Sequence, residues 1–183
     1  MAYTREELLS YAGRTIPDLV GDDLRLLFVG INPGLVSAAT GLHFARPGNR
    51  FYPALRLAGI LPADVLTPEA ARPVLLSRGV GITNIVARAS ARADELDAAE
   101  LVAGRSRLEA FVEQHRPAVV AVAGITSYRV AFDRRTARAG PQDETIGGAQ
   151  LWVVPNPSGL NAHETVETLA AAYRGAAVAA GVV

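Results

Sequence analysis

The sequence predicts an α/β fold, a three-layer sandwich in which a mostly parallel central sheet lies between helices. Three observations predict it. Short apolar runs stand at 24–29, 80–86 and 118–123; they are short enough for strands and too continuously apolar to have one wet face, so they read as strands buried on both sides. Helical segments with recognisable start and stop residues lie between them. A last apolar run, 150–154, follows the pair Gly147-Gly148, and strands alternating with helices make a parallel sheet.

Each element has a local cause. Thr4 and Glu7 have capping-box spacing, so a helix runs to about Tyr11 and stops at Gly13. Segment 49–58 is helix-like and ends at Gly59. Thr67 and Pro68 read as an N-cap and first helical position, with Pro73 limiting or kinking the helix that they open. Asp97 and Glu100 form a second capping box, opening a helix to about His115 that Pro117 bounds. Segment 124–132 turns into a helix. Residues 145–146 and 150–154 flank Gly147-Gly148 as a tight hairpin. Asn161 and Glu164 are expected to cap a final helix whose apolar stripe is Val166, Leu169, Ala170 and Tyr173.

Composition narrows the chemistry. The 183 residues suit one domain over 1–183, and a 50% hydrophobic, 20% charged composition supplies a core. The absence of cysteine excludes disulfides, thiol catalysis, cysteine zinc sites and iron–sulfur clusters. The three histidines are scattered without metal-ligand spacing, so neither metal nor cofactor is expected. All 18 basic residues are arginine, which removes side-chain Schiff bases and the P-loop lysine from consideration. A net charge of +0 argues against a protein that coats nucleic acid, but allows one that gathers its cations on one face. No apolar stretch is long enough for a membrane span, and MAYTREELLSYAG reads as an amphipathic helix rather than a signal peptide, so a cytoplasmic monomer is the default expectation.

Ligands of such sheets bind beyond the C-terminal strand ends, which directs attention to loops 30–49, 84–97 and 155–163. The first contains GINPG. Its Gly30 and Gly34 allow close backbone approach and unusual dihedrals, and Asn32 projects an amide that can hold a water but cannot act as a base; an asparagine bonding its own turn would look the same. The third reads PNPSGLNAHE, a rigid loop with Leu160 at its tip. That leucine reads either as a wedge between bases or as a hydrophobic staple onto the following helix.

Taken together, GINPG and NPSGL, with the intervening ARPGNRFYPALRLAGI and GITNIV, resemble the mismatch-specific uracil-DNA and thymine-DNA glycosylases of the uracil-glycosylase superfamily. The resemblance spans about 24–173. It implies a uracil-DNA glycosylase-like fold and a partner, double-stranded DNA, from which a mismatched or damaged pyrimidine is rotated into a pocket at a cost of a few kcal/mol. It implies that Asn32 positions the water attacking the sugar C1′. Because an amide takes no proton, the bond to the base must break early, with backbone N–H groups stabilising the departing anion.

Further roles are implied by the same resemblance. Ile31 and Gly34 flank the asparagine and shape the pocket, and Ser37 and Val36 lie near C5 of the pyrimidine. Phe44 matches the ring on which the extruded base stacks, a contact worth roughly 1–3 kcal/mol, though core packing explains a phenylalanine equally. His43 matches a histidine of thymine-type members or is a solvent-facing loop residue. Asn156 stands where related superfamilies place a histidine facing the base oxygen. Leu160 matches the wedge, and Gly159 would present backbone to the widowed guanine. Ala162 occupies the position of an arginine in bacterial members, which weakens the opposite-guanine clamp and leaves His163 or Asn161 to compensate.

The middle loop is less distinctive. Asn84 lines the cleft or serves a turn, while Arg88, Ser90 and Arg92 contact phosphates or are simply solvated. Asp94 and Glu95 are the nearest acids, as auxiliary bases or as surface and capping groups. Asp22 and Asp23 precede the first strand, away from the site. Arg129, Arg134, Arg135 and Arg138 touch DNA or solvate a helix end. The expectation is a monofunctional glycosylase favouring G·U or G·T mismatches. Its rivals are a broad uracil or deaminated-base glycosylase, an idle damage-binding module, and an unrelated nucleotide-binding enzyme.

Overall fold

The computed structural model describes residues 3–183; Met1 and Ala2 of the N-terminal segment lie outside the described residues. One five-stranded sheet carries the fold: β1 (Leu26–Gly30), β2 (Val80–Asn84), β3 (Val119–Ala123), β4 (Gly140–Ile146) and β5 (Ala149–Val154). Its order is β2-β1-β3-β5-β4. The first four positions are parallel, and β4 closes one edge antiparallel to β5. The chain leaves β1 to one side for β2 and returns across it to β3. This reversal of direction opens a crevice at the carboxyl ends of the strands.

The sheet is layered between two cores. Leu26 and Phe28 face Phe51, Leu55, Leu75, Leu169 and Tyr173, which belong to α3 (Phe51–Leu57), α4 (Pro68–Ser77) and α7 (Val166–Ala179). Leu27 and Val29 face Leu108, Val112, Tyr128 and Phe132, from α5 (Ala98–His115), α6 (Ile125–Ala131) and the C-cap of α6. Successive strand residues point to opposite faces, so a strand such as Leu26–Gly30 is buried throughout and must be apolar throughout. The two remaining helices are α1 (Arg5–Leu9) and α2 (Leu35–Thr40).

The local signals act where they were expected. Thr4 with Glu7 and Asp97 with Glu100 form reciprocal capping boxes, and Thr67 accepts from the Ala70 amide with Pro68 behind it. Gly147 and Gly148, with φ of 52° and 84°, make the two-residue turn between β4 and β5.

Several elements differ from expectation. The first strand starts at Leu26 rather than Leu24, and β2 ends at Asn84, although the amides of Ile85 and Val86 still donate to Gly30 and Ile31. Helix α4 passes through Pro73. Strand β4 begins at Gly140, five residues before the expected Thr145, because an edge strand with alternately exposed residues has no apolar run to reveal it. The last helix is capped by Thr165 with Thr168 rather than by Asn161 and Glu164; Asn161 instead bonds within its loop, its amide reaching the Asn156 carbonyl.

Candidate functional site

A cleft of about 380 Å³ opens at the carboxyl ends of the parallel strands. It receives Ile31 and Asn32 from beyond β1, Asn84 from the end of β2, Ala123 from β3 and Asn156 from beyond β5. Gly34, Ser37 and Phe44 complete its wall, and Leu160 overhangs its mouth. Residues 124 positions apart thus meet in one cleft because parallel strands all end on the same side.

Asn32 is held by its nitrogen. Nδ2 donates to the Arg88 carbonyl at 3.0 Å and to Ser90 Oγ at 2.8 Å. A carbonyl can only accept, so the amide orientation is dictated by chemistry. Ser90 Oγ passes its own proton to the Arg92 carbonyl at 2.6 Å, which frees its lone pairs for Asn32. Both amide protons are therefore spent on the 88–92 segment, and Oδ1 remains as the accepting end in the cleft. The backbone makes the same junction through the Ser90 amide and the Pro33 carbonyl.

Arg88 needs a different role from phosphate contact. Its Nε and Nη2 form a two-point pair with Glu100, and Nη2 also reaches the Glu95 carbonyl. The guanidinium holds the Glu100 carboxyl down to about 2, with the Asp97 amide assisting. What Arg88 gives the site is its carbonyl oxygen. A fork-to-fork pair with a residue on α5 instead fastens the loop that carries that oxygen. Asp94 pairs with Arg92 at the surface.

The two glycines of GINPG act through space, as expected of close approach, and not through unusual dihedrals. Neither has positive φ. Gly30 is required for space: a Cβ there would lie 2.6 Å from Asn84 Oδ1 and 3.2 Å from Phe44 Cζ. At Gly34 a Cβ would meet nothing within 4 Å, so the missing side chain leaves open cleft. Gly34 also begins α2 as its N-cap. Ser37 is buried in α2, and its Oγ accepts from the Ala45 amide.

Phe44 is packed against the core and also reaches the cleft. Its ring stacks on Phe51, with centroids 4.1 Å apart, and also lines the cleft. The residue adopts φ 54°, a left-handed conformation rare for phenylalanine. His43 is not solvent-facing: it is 7% exposed, with Nε2 3.0 Å from the Pro17 carbonyl. That carbonyl requires a proton on Nε2, and a neutral ring then offers Nδ1 as acceptor to Asn84 Nδ2 at 3.4 Å. Asn84 is itself buried, and Arg107 of α5 donates to its carbonyl.

Burial is the main cause that holds the His43 pKa below the ordinary 6.5; the Pro17 carbonyl and Asp18 pull the other way, and Arg72 adds to the lowering. The folded state thus binds fewer protons than the unfolded one below about pH 6.5, and stability from this residue is full above that pH and lost as pH falls through it. Thermal melts from pH 7.5 to 5 should show a falling Tm that His43→Asn flattens. Parallel curves for the two proteins would remove His43 as the cause.

The third loop presents Asn156 as a donor. Its Oδ1 accepts from the Ser158 amide at 3.0 Å, and Nδ2 has no partner among the described residues. Leu160 is 73% exposed, which excludes the staple onto the following helix. Gly159 is exposed and abuts Gly48, where a Cβ would stand 2.8 Å from the carbonyl oxygen. Ala162 and His163 are both exposed. Arg129 donates to the Ala137 carbonyl and Arg134 pairs with Glu144, so half of that arginine group is internally engaged.

Residues 17–177 match the family model described as the uracil DNA glycosylase superfamily. The chain belongs to that superfamily. The solution NMR structure of a candidate uracil DNA glycosylase from Methanosarcina acetivorans superposes with a TM-score of 0.62 at 14% identity, covering 93% of this chain and 98% of that one. That similarity is one of fold. It shows the superfamily sandwich beneath a sequence that has largely diverged, which agrees with a fold set by strand burial and layer packing rather than by particular side chains.

Other residues of the cleft had a different role, or none, in the sequence reading. Ser90 anchors Asn32 rather than a phosphate, and Arg46 and Asn49 line the cleft. Asn49 also holds the Phe51 amide through its side chain. The only signal for the last two was their place in the block ARPGNRF.

Proposed function

We propose that this chain is a monofunctional DNA glycosylase that hydrolyses the N-glycosidic bond of uracil flipped out of double-stranded DNA, with G·U and G·T mismatches as preferred targets. The observation that carries the reading is the amide of Asn32, whose nitrogen is fully engaged by Arg88 and Ser90 while Oδ1 is left to hold water in the cleft. The C1′–N1 bond breaks with its electron pair passing to the base. The water oxygen then bonds C1′ and gives its proton to neighbouring solvent, since the amide cannot accept it, and the departed base anion takes a proton from solvent. Asn156 Nδ2 supplies a hydrogen bond to the anionic base. Phe44, braced by Phe51, offers a face for stacking, and Asn84, held by His43, supplies a polar edge.

Mismatch preference rests on the lower cost of extruding a weakly paired base. The exposed Ala162 gives the opposite strand no cation, which favours a modest preference and keeps a broad uracil glycosylase as the second reading.

The test uses end-labelled G·U, G·T and A·U duplexes and single-stranded uracil DNA, with alkali to cleave abasic sites. G·U should be processed fastest, strand breaks should require alkali, and borohydride should trap no adduct because the chain lacks lysine. No uracil release from any substrate overturns the glycosylase. Equal rates on G·U and A·U overturn the mismatch preference alone.

A further inference from the structure

The loop between β5 and α7 is held to the rest of the protein in two different ways. Its first residues are tied independently of any cation. The Pro155 carbonyl accepts from Tyr173 Oη at 3.1 Å, and the Pro157 carbonyl accepts from the backbone amide of Arg50 at 3.0 Å. Beyond Pro157 the ties change. The Arg50 guanidinium donates through Nη2 to the carbonyls of Ser158 at 2.6 Å and Asn161 at 2.7 Å, and through Nη1 to the carbonyl of Glu164. These carbonyls flank Leu160 on both sides. Other bonds of this stretch run inside the loop, as from the Asn161 amide to the Ser158 carbonyl, or lie at its far end, as from Thr168 to Glu164.

We propose that Arg50 is the positioning residue of the wedge: its side chain holds the 158–164 segment rigid so that Leu160 can enter the DNA stack. The proposal rests on the glycosylase reading above. An apolar tip inserted between bases displaces their stacking, at a cost of a few kcal/mol per step. A loop free to move would also have to be ordered on binding, which lowers affinity for the flipped state. A planar cation spanning three carbonyls removes that second cost in advance. Its donors point inward, and Nε is buried, so the side chain is committed to the loop and is no phosphate contact. Arginine suits this because its fork is rigid; the point-like ammonium of lysine cannot span the same three oxygens.

A wedge is needed only where a stack must be opened. The role therefore separates from a merely structural one by substrate. In single-turnover assays Arg50→Ala should slow uracil release from a G·U duplex about tenfold or more, with release from single-stranded uracil DNA within about twofold of the parent. The backbone on either side of Asn156 keeps its ties in this variant, Pro155 to Tyr173 Oη and Pro157 to the backbone amide of residue 50. Leu160→Ala should show a comparable loss on the duplex, and the double variant should be little worse than either single one, since both remove the same step.

Equal losses on both substrates overturn the proposal, as do unchanged duplex rates or additive losses in the double variant. Arg50→Lys, matched to the parent by its melting curve, serves if the alanine variant does not fold; it should show the same duplex-selective loss. Hydrogen exchange separates the Arg50 tie from the glycosylase reading. Amides 159–163 should exchange faster in either Arg50 variant, with the sheet unchanged. Absence of turnover in the parent sinks the glycosylase, and unchanged loop exchange sinks the Arg50 tie whatever the turnover.

Discussion

Replacing Asn32 by alanine should lower single-turnover uracil release by about 10³-fold, the scale on which loss of one preorganised group or of reactant alignment acts, with duplex binding retained. The cause is geometric. The amide is fastened at 3.0 and 2.8 Å to two groups of one segment, and that segment is pinned by the Arg88–Glu100 pair. On the proposed reading, the oxygen that would hold the water is thus fixed before substrate arrives. The same reading assigns binding to other groups, Leu160 and the cleft walls, so a gel-shift titration should be nearly unchanged. Asn32→Asp is a sharper probe: it keeps the shape but replaces a donor by a carboxylate facing the Arg88 carbonyl, and should also be slow. A parallel collapse of binding and turnover in Asn32→Ala would assign the residue to folding or docking rather than to the water.

The second large effect is on stability. Gly104 lies on α5 against the strand end that carries Asn84, and a Cβ there would strike the Ile85 carbonyl oxygen and stand 2.8 Å from Ile85 Cγ2. Backbone cannot swing aside as a side-chain tip can. Gly104→Ala should therefore fall at the upper end of the overpacking range, about 3 kcal/mol, which for a chain of this size lowers Tm by roughly 6–12 °C. The gain in helix propensity, about 1 kcal/mol, opposes this but does not offset it. Activity should fall as well, because displacement of α5 moves Arg107, which donates to the carbonyls of Asn84 and Ile85. Calorimetry checks the loss of stability. An unchanged Tm would mean that α5 can retreat from the sheet without cost.

How legible the site was varies with the distance over which each contact acts. The capping boxes at Thr4 and Asp97 involve residues three apart, and the Gly147-Gly148 turn involves neighbours. Such signals are complete within a few residues and could be read directly. The buried strands were equally legible, since a strand covered on both faces is largely apolar, with Thr83 and Asn84 at the end of β2 as polar exceptions. The C-terminal helix shows where local reading fails. Asn161 with Glu164 was the expected start, but the helix is capped by Thr165 with Thr168, and the Asn161 side chain is engaged by the Asn156 carbonyl.

By itself, then, the sequence determined the layered α/β architecture, the absence of cysteine and lysine chemistry, and the loops that would share one end of the sheet. The tertiary structure alone decided what the side chains in those loops do. It turned the Asn32 amide by placing the Arg88 carbonyl 56 positions away. It took the Arg88 guanidinium for Glu100, buried His43 against Pro17 and left Leu160 uncovered. It also brought Arg50 to carbonyls more than a hundred residues distant. The physical reason is common to all of these. Hydrogen-bond donors and acceptors are satisfied by whichever partner the packed sheet brings within reach, and spacing along the chain carries no record of that choice.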